Sequence, residues 1–186
     1  MRTGNRNDEQ DIIDVQNLHL SHPQIRAKDW RSPLVRRLLD TDRYQDGEAV
    51  VAHSYRGPQG KAIERNLQLC WTALGDDYCQ CMNTYQDPVI TEMATLGLAC
   101  ILVSHDASEE ITEVTRRGER ADYWIGERKG MLEVSGQQDG DIENLCSRKA
   151  VQLLSNPFAV DGYVCVAVFS NKQSRLWFYS QEGRTT

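Results

Sequence analysis

Several features that would assign a chain at sight are missing from this one. No apolar run approaches the roughly 20 residues that span a bilayer. The longest, from Leu96 to Val103, is broken by Gly97, so neither a membrane-spanning helix nor a membrane partner is expected. Met1 to Asp14 is polar and holds no apolar core of a secretory signal, which makes the cytoplasm the expected location. Positive charge is not in excess: 21 Lys and Arg stand against 27 Asp and Glu, a formal net charge of −6. A simple charge-driven coat for nucleic acid is thereby excluded, unless the basic residues are gathered on one face. Neither Gly-x-Gly-x-x-Gly nor a Walker sequence occurs, which removes the familiar nucleotide-binding loops. Gly-x-Ser-x-Gly is absent too, and no histidine lies near Ser135 in sequence, which argues against a serine hydrolase. Cys79-Gln80-Cys81 has no second pair to match it, and His19-Leu20-Ser21-His22 is too thin to be a metal site. The six cysteines are scattered through apolar contexts and read as reduced, buried thiols rather than a disulfide framework.

What is present suits one hydrophobic core. The chain has 186 residues, 40% hydrophobic and 26% charged, within the size of a single domain. Residues 1–46 are polar, with short apolar groups, and read as an N-terminal arm. A short helix over about 33–40 is predicted from Pro33 and the spacing of Leu34, Val35, Leu38 and Leu39, with Arg36 and Arg37 facing water. Residues 47–186 read as a single α/β domain.

Within it, residues 48–55 and 62–72 are β-prone runs flanking Arg56-Gly57-Pro58-Gln59-Gly60, a hairpin pattern. A helix from about Gly75 should stop before Pro88. A second begins there, with an apolar stripe from Ile90 through Ala94, Gly97 and Ile101. Small Ala94 and Gly97 would let it lie close to a sheet. A loop over 104–108 leads to strands at 110–115, 120–125 and 131–135. A helix capped by Asp139-Gly140-Asp141 follows and ends at Asn156-Pro157. The run Gly162 to Ser170 is apolar on both faces, as in a central strand, and 175–180 reads as an antiparallel edge strand. The expected class is α/β: a central mixed sheet with a helix-strand-strand-strand-helix-strand core over about 88–170, helices on both faces, and an N-terminal hairpin and arm before it.

Two acids within the meander carry the chemical interest. Met131, Glu133 and Ser135 alternate with Leu132 and Val134, so Glu133 points away from clear core residues. If the connecting loop is Gly126 to Lys129, Ile125 pairs with Gly130 and Asp122 falls opposite Glu133; a loop one residue longer sends Asp122 to the other face. Adjacent carboxylates repel unless protonated or neutralised, and a hard cation with oxygen ligands is one solution. The blander alternatives are a strand-end Asp122 paired with Arg117 or Arg120, and a solvated Glu133 on an exposed sheet face. Ser135-Gly136 would then be a strand exit turning through a positive-φ glycine. Tyr123, Trp124, Trp177 and Tyr179 read as sheet packing.

The element order and the pair Asp122, Glu133 resemble the PD-(D/E)xK nuclease superfamily, over about Pro88 to Ser170. The chain is also similar to an uncharacterised bacterial group with a DYW-[IL]-G…LEVSG signature, here Asp122 to Gly126 and Leu132 to Gly136. The superfamily resemblance implies that Asp122 and Glu133 bind Mg²⁺ or Mn²⁺, that Glu92 is the assisting helical acid, and that nucleic acid is the substrate. It also implies a lysine two residues after the second acid, where this chain has Ser135. Some members carry that lysine on the next helix, and Lys149, with Gln152 three residues on, is the candidate here. The expected catalytic residues are therefore Asp122, Glu133, Ser135 and Lys149. Two functions follow: a metal-dependent nuclease, or an inactive nuclease-fold subunit that binds a protein partner or a second copy of itself.

Overall fold

The computed structural model describes residues 12–183. Eight strands form one mixed sheet: β1 (Ile12–Asp14), β2 (Gly47–Arg56), β3 (Ala62–Trp71), β4 (Ile111–Val114), β5 (Tyr123–Ile125), β6 (Gly130–Gln137), β7 (Gly162–Val168) and β8 (Gln173–Tyr179). Their order across the sheet is β1-β3-β2-β8-β7-β6-β5-β4. The helices are α1 (Arg31–Leu38), α2 (Gly75–Thr84), α3 (Asp87–Leu102) and α4 (Ile142–Leu154). The chain is α/β with a central mixed sheet, and it buries two apolar clusters. The larger gathers α1, α3 and the first turns of the chain on one face; the smaller lies under α4 on the other.

Local chemistry accounts for the elements. All seven residues of β7 are buried, because β6 and β8 flank it and helices cover both faces. Asp141 caps α4, its carboxylate accepting from the amides of Glu143 and Asn144 at 2.8 and 3.4 Å. Asn156 ends that helix by accepting from Phe158 and Val160 and donating to the carbonyls of Leu153 and Val160. Together with the π-turn that follows it, α3 is long and apolar enough to cross a membrane by length and composition. In this fold most of that surface is instead packed against α1 and the sheet.

Several expectations need correction. From Ile12 onward the expected arm is built into the domain: β1 pairs in parallel with β3, and Val15, Leu18, Ala27, Leu34, Val35 and Leu38 join the larger core. Its apolar groups are sparse in sequence, but most of them are buried or half-buried in the core, with Ile12 and Leu20 left exposed. Residues 1–11 lie outside those described. Arg37 is buried rather than facing water, because its guanidinium meets the Asp87 carboxylate at 2.8 Å and the Asp87 carbonyl at 2.7 Å. Residues 175–180 do not form an edge. Residues 175–179 lie inside β8, which is antiparallel to β7 but also parallel to β2, so the N-terminal hairpin covers its free side. Gly97 serves α1 rather than the sheet: a Cβ there would come within 2.9 Å of the Trp30 carbonyl. The glycine that admits α3 to the sheet is Gly136, whose added Cβ would collide with the Thr95 hydroxyl. Ser135 and Gly136 therefore continue β6 and form no positive-φ exit. The expected loop over 104–108 is largely the π-turn Val103–Ala107.

Candidate functional site

The length mismatch between β5 and β6 makes the site. β5 is three residues long, whereas β6 runs eight residues to Gln137. The loop is Gly126 to Lys129, so Ile125 pairs with Gly130 and Tyr123 with Leu132. Asp122 stands one step before β5, and its amide donates to the Leu132 carbonyl at 3.0 Å. Beyond that bond the backbone of β5 turns away. The Asp122 carboxylate replaces the next rung, accepting the Val134 amide at 2.8 Å. The edge of β6 past this point is open and lines a cavity of about 500 Å³. Asp122, Ser135 and Gly136 form its floor, Glu92 and Thr95 of α3 one wall, and Lys149 of α4 the other.

Glu133 lies beneath this floor with no exposed surface, which overturns the reading of a solvated carboxylate on an open face. It shares the α4 side with Met131, which belongs to the smaller core. Lys149 reaches back from α4 to place its Nζ 2.5 Å from Glu133 Oε1, and it also donates to Gln152 Oε1 at 3.3 Å. Burial, then the charge of Asp122, pushes the Glu133 carboxyl up to about 7 against the opposing pull of Lys149. Asp122 is raised in the same direction by burial, opposed by the Val134 amide and Lys149. Asp122 takes a backbone amide rather than Arg117 or Arg120; the Arg120 guanidinium donates to the Ser155 hydroxyl.

The structure thus brings Asp122, Ser135 and Lys149 to one cavity, keeps Glu133 buried against Lys149 rather than in the cavity lining, and leaves Glu92 exposed on the wall. Among the described residues, no three Asp, Glu, His or Cys side chains are gathered as a ready metal-binding set. The donors present still suit a small hard cation. Glu133 Oε2 is buried without a hydrogen-bond partner, and Mg²⁺ characteristically takes one or two carboxylates while keeping several waters.

Sequence reasoning missed a second buried polar network. The His53 imidazole lies 2.8 Å from the Ser174 hydroxyl and 2.7 Å from Asp106, and Asp106 also pairs with Arg65 and His105. Burial lowers the His53 pKa to about 4, with the charge of Arg65 acting in the same direction. Ser174 is 2% exposed and open to no substrate, so this trio ties the π-turn after α3 to β2 and β8 rather than forming a nucleophile. No local signal could reveal it, since its members lie 53 and 121 residues apart. His22 is likewise a core residue: it accepts from the Ile111 amide at 2.9 Å and its other nitrogen lies 2.8 Å from the Cys100 carbonyl.

The chain matches no protein-family model, and no curated protein or solved structure shows significant similarity to it.

Proposed function

We propose that the chain is a metal-dependent phosphodiester hydrolase acting on nucleic acid, built like a PD-(D/E)xK nuclease with its lysine moved to the following helix. One observation carries the reading: Lys149 Nζ stands 2.5 Å from Glu133 Oε1, beside Asp122, at an open cavity. In this reading Asp122 and Glu133 hold Mg²⁺ or Mn²⁺, with Glu92 as the nearest further acid along the wall. A bound cation would supply Lewis acidity toward the phosphoryl oxygen and lower the pKa of water. Lys149 orients the attacking water and balances negative charge developing on the phosphate. The Ser135 hydroxyl, half-buried on the cavity floor, is placed to donate a hydrogen bond to the substrate. Packing of Met131, Leu145 and Leu153 behind the pair keeps it rigid.

Titration calorimetry of Mn²⁺ and Mg²⁺ into the wild type and Asp122→Asn/Glu133→Gln, followed by cleavage assays on single- and double-stranded DNA and RNA, tests this. Binding and cleavage in the wild type that are lost in the double variant support the reading. A wild type that binds no metal with or without nucleic acid overturns it. The alternative, an inactive nuclease-fold subunit that binds a protein or its own copy, is favoured by the convergence of only two acids at the buried pair. It requires a stable complex in native mass spectrometry and no cleavage.

A further inference from the structure

Many cations of the fold are already neutralised: Arg31 by Asp77, Arg36 by Asp42, Arg128 by Glu113 and Arg175 by Glu143. Arg116, Arg117 and Arg148 differ. All three are exposed, and none makes an ion pair among the described residues. Arg116 and Arg117 sit on the loop that delivers Asp122 to the site. That loop is held firmly. The Thr115 amide donates to the Asp122 carbonyl at 3.0 Å, and Glu119 accepts both the Arg116 amide at 2.7 Å and the Trp124 indole at 3.0 Å. Arg120 Nη1 reaches the Ser155 hydroxyl at 3.3 Å, fastening the loop to the C-terminal end of α4. On α4, Arg148 and Gln152 are four residues apart, so Arg148 shares the flank of Lys149 and Gln152.

We propose that Arg116, Arg117 and Arg148 form a phosphate-binding rim around the Asp122–Glu133 cavity, gripping the backbone of a nucleic acid on either side of the bond presented to Lys149. The inference rests on the hydrolase reading for its site and adds the residues that position the substrate. Guanidinium groups without carboxylate partners meet phosphate bidentately with no ion pair to break first. Glu92, exposed on the α3 wall, repels phosphate and directs the backbone along the α4 side. The acidic total does not oppose this. Glu48 and Glu64 lie on β2 and β3, separated from β6 by β8 and β7, so part of the negative charge is remote from the site.

Fluorescence anisotropy of labelled DNA and RNA oligonucleotides, with EDTA present, reads binding without catalysis. The control is Arg43→Ala/Lys61→Ala, which removes the same charge from exposed positions elsewhere. Arg116→Ala/Arg117→Ala is expected to weaken binding about tenfold or more at low salt and to lower the slope of log K against log salt by about 2, with Arg148→Ala lowering it by about 1. The control should leave both unchanged. Equal losses in variant and control, no loss in the variants, or no wild-type binding at low salt overturn the proposal. Arginine-dependent binding in a protein that never cleaves with Mg²⁺ or Mn²⁺ leaves the rim standing and removes only the hydrolase.

Discussion

The carboxylate of Asp122 takes the place of a missing backbone rung, accepting the amide of Val134 at 2.8 Å where β5 has ended and β6 continues. One side chain thus supplies that rung and puts a negative charge next to Glu133. Stability and chemistry are joined at that residue.

Asp122→Ala leaves the Val134 amide without its partner, a loss of about 1–3 kcal/mol. Asp122→Asn keeps a carbonyl oxygen that can accept the same bond. Chemical denaturation should find the alanine variant destabilised and the asparagine variant near wild type, while calorimetry finds divalent-cation binding weakened in both.

Glu133 sets a pH signature. Its carboxyl is raised from 4.5 to about 7 by burial and by Asp122, so between those values the folded state binds more protons than the unfolded state. The contribution of Glu133 to stability is therefore fully present below 4.5 and is lost as pH rises through 7. Glu133→Gln should flatten that segment of the curve and leave the variant more stable than wild type at pH 8, measured by thermal unfolding across the range. A wild type whose stability rises steadily from pH 4.5 to 8, with the same slope in the variant, would rule this out.

Lys149 should separate binding from turnover. Lys149→Met retains the stem that lies along α4 but removes the charge 2.5 Å from Glu133. Cleavage is expected to fall by about 100-fold or more, whereas Mn²⁺ affinity changes little or rises, because a competing cation has gone. With Lys149 no longer pulling it down, the apparent pKa of Glu133 should climb further, visible as a shift in the pH dependence of metal binding.

Gly136→Ala tests the approach of α3 to β6. The added methyl meets the Thr95 hydroxyl, and Thr95 is fully buried, so strain of about 1–3 kcal/mol is expected. Thr95→Ala in the same chain removes the closest contact and should recover part of the loss. A coupling energy near zero in the double-mutant cycle would contradict this packing.

The pattern of β7 and the Asp141 cap were legible from local sequence and led to the α/β class, whereas the sequence left two registers open for Asp122 and the structure selected the Ile125–Gly130 pairing that sets it opposite Glu133. Alternation showed which side Glu133 occupies but not that the side is buried, since burial depends on α4 returning over β6. The reach of Lys149 is suggested by the family resemblance alone; its 2.5 Å contact with Glu133 depends on where that helix settles.

Periodicity, turn chemistry and capping act over a few residues, and for this protein they indicated most of the helices and strands from α1 onward and the two candidate acids, though not β1 or the short span of β5. The tertiary structure decided that residues from Ile12 onward belong to the core, that β8 is internal, that Gly97 serves α1 while Gly136 serves α3, and that His53 meets Asp106 and Ser174. Each of those depends on surfaces far apart in the chain being buried against one another, and no short-range preference encodes which surface that will be.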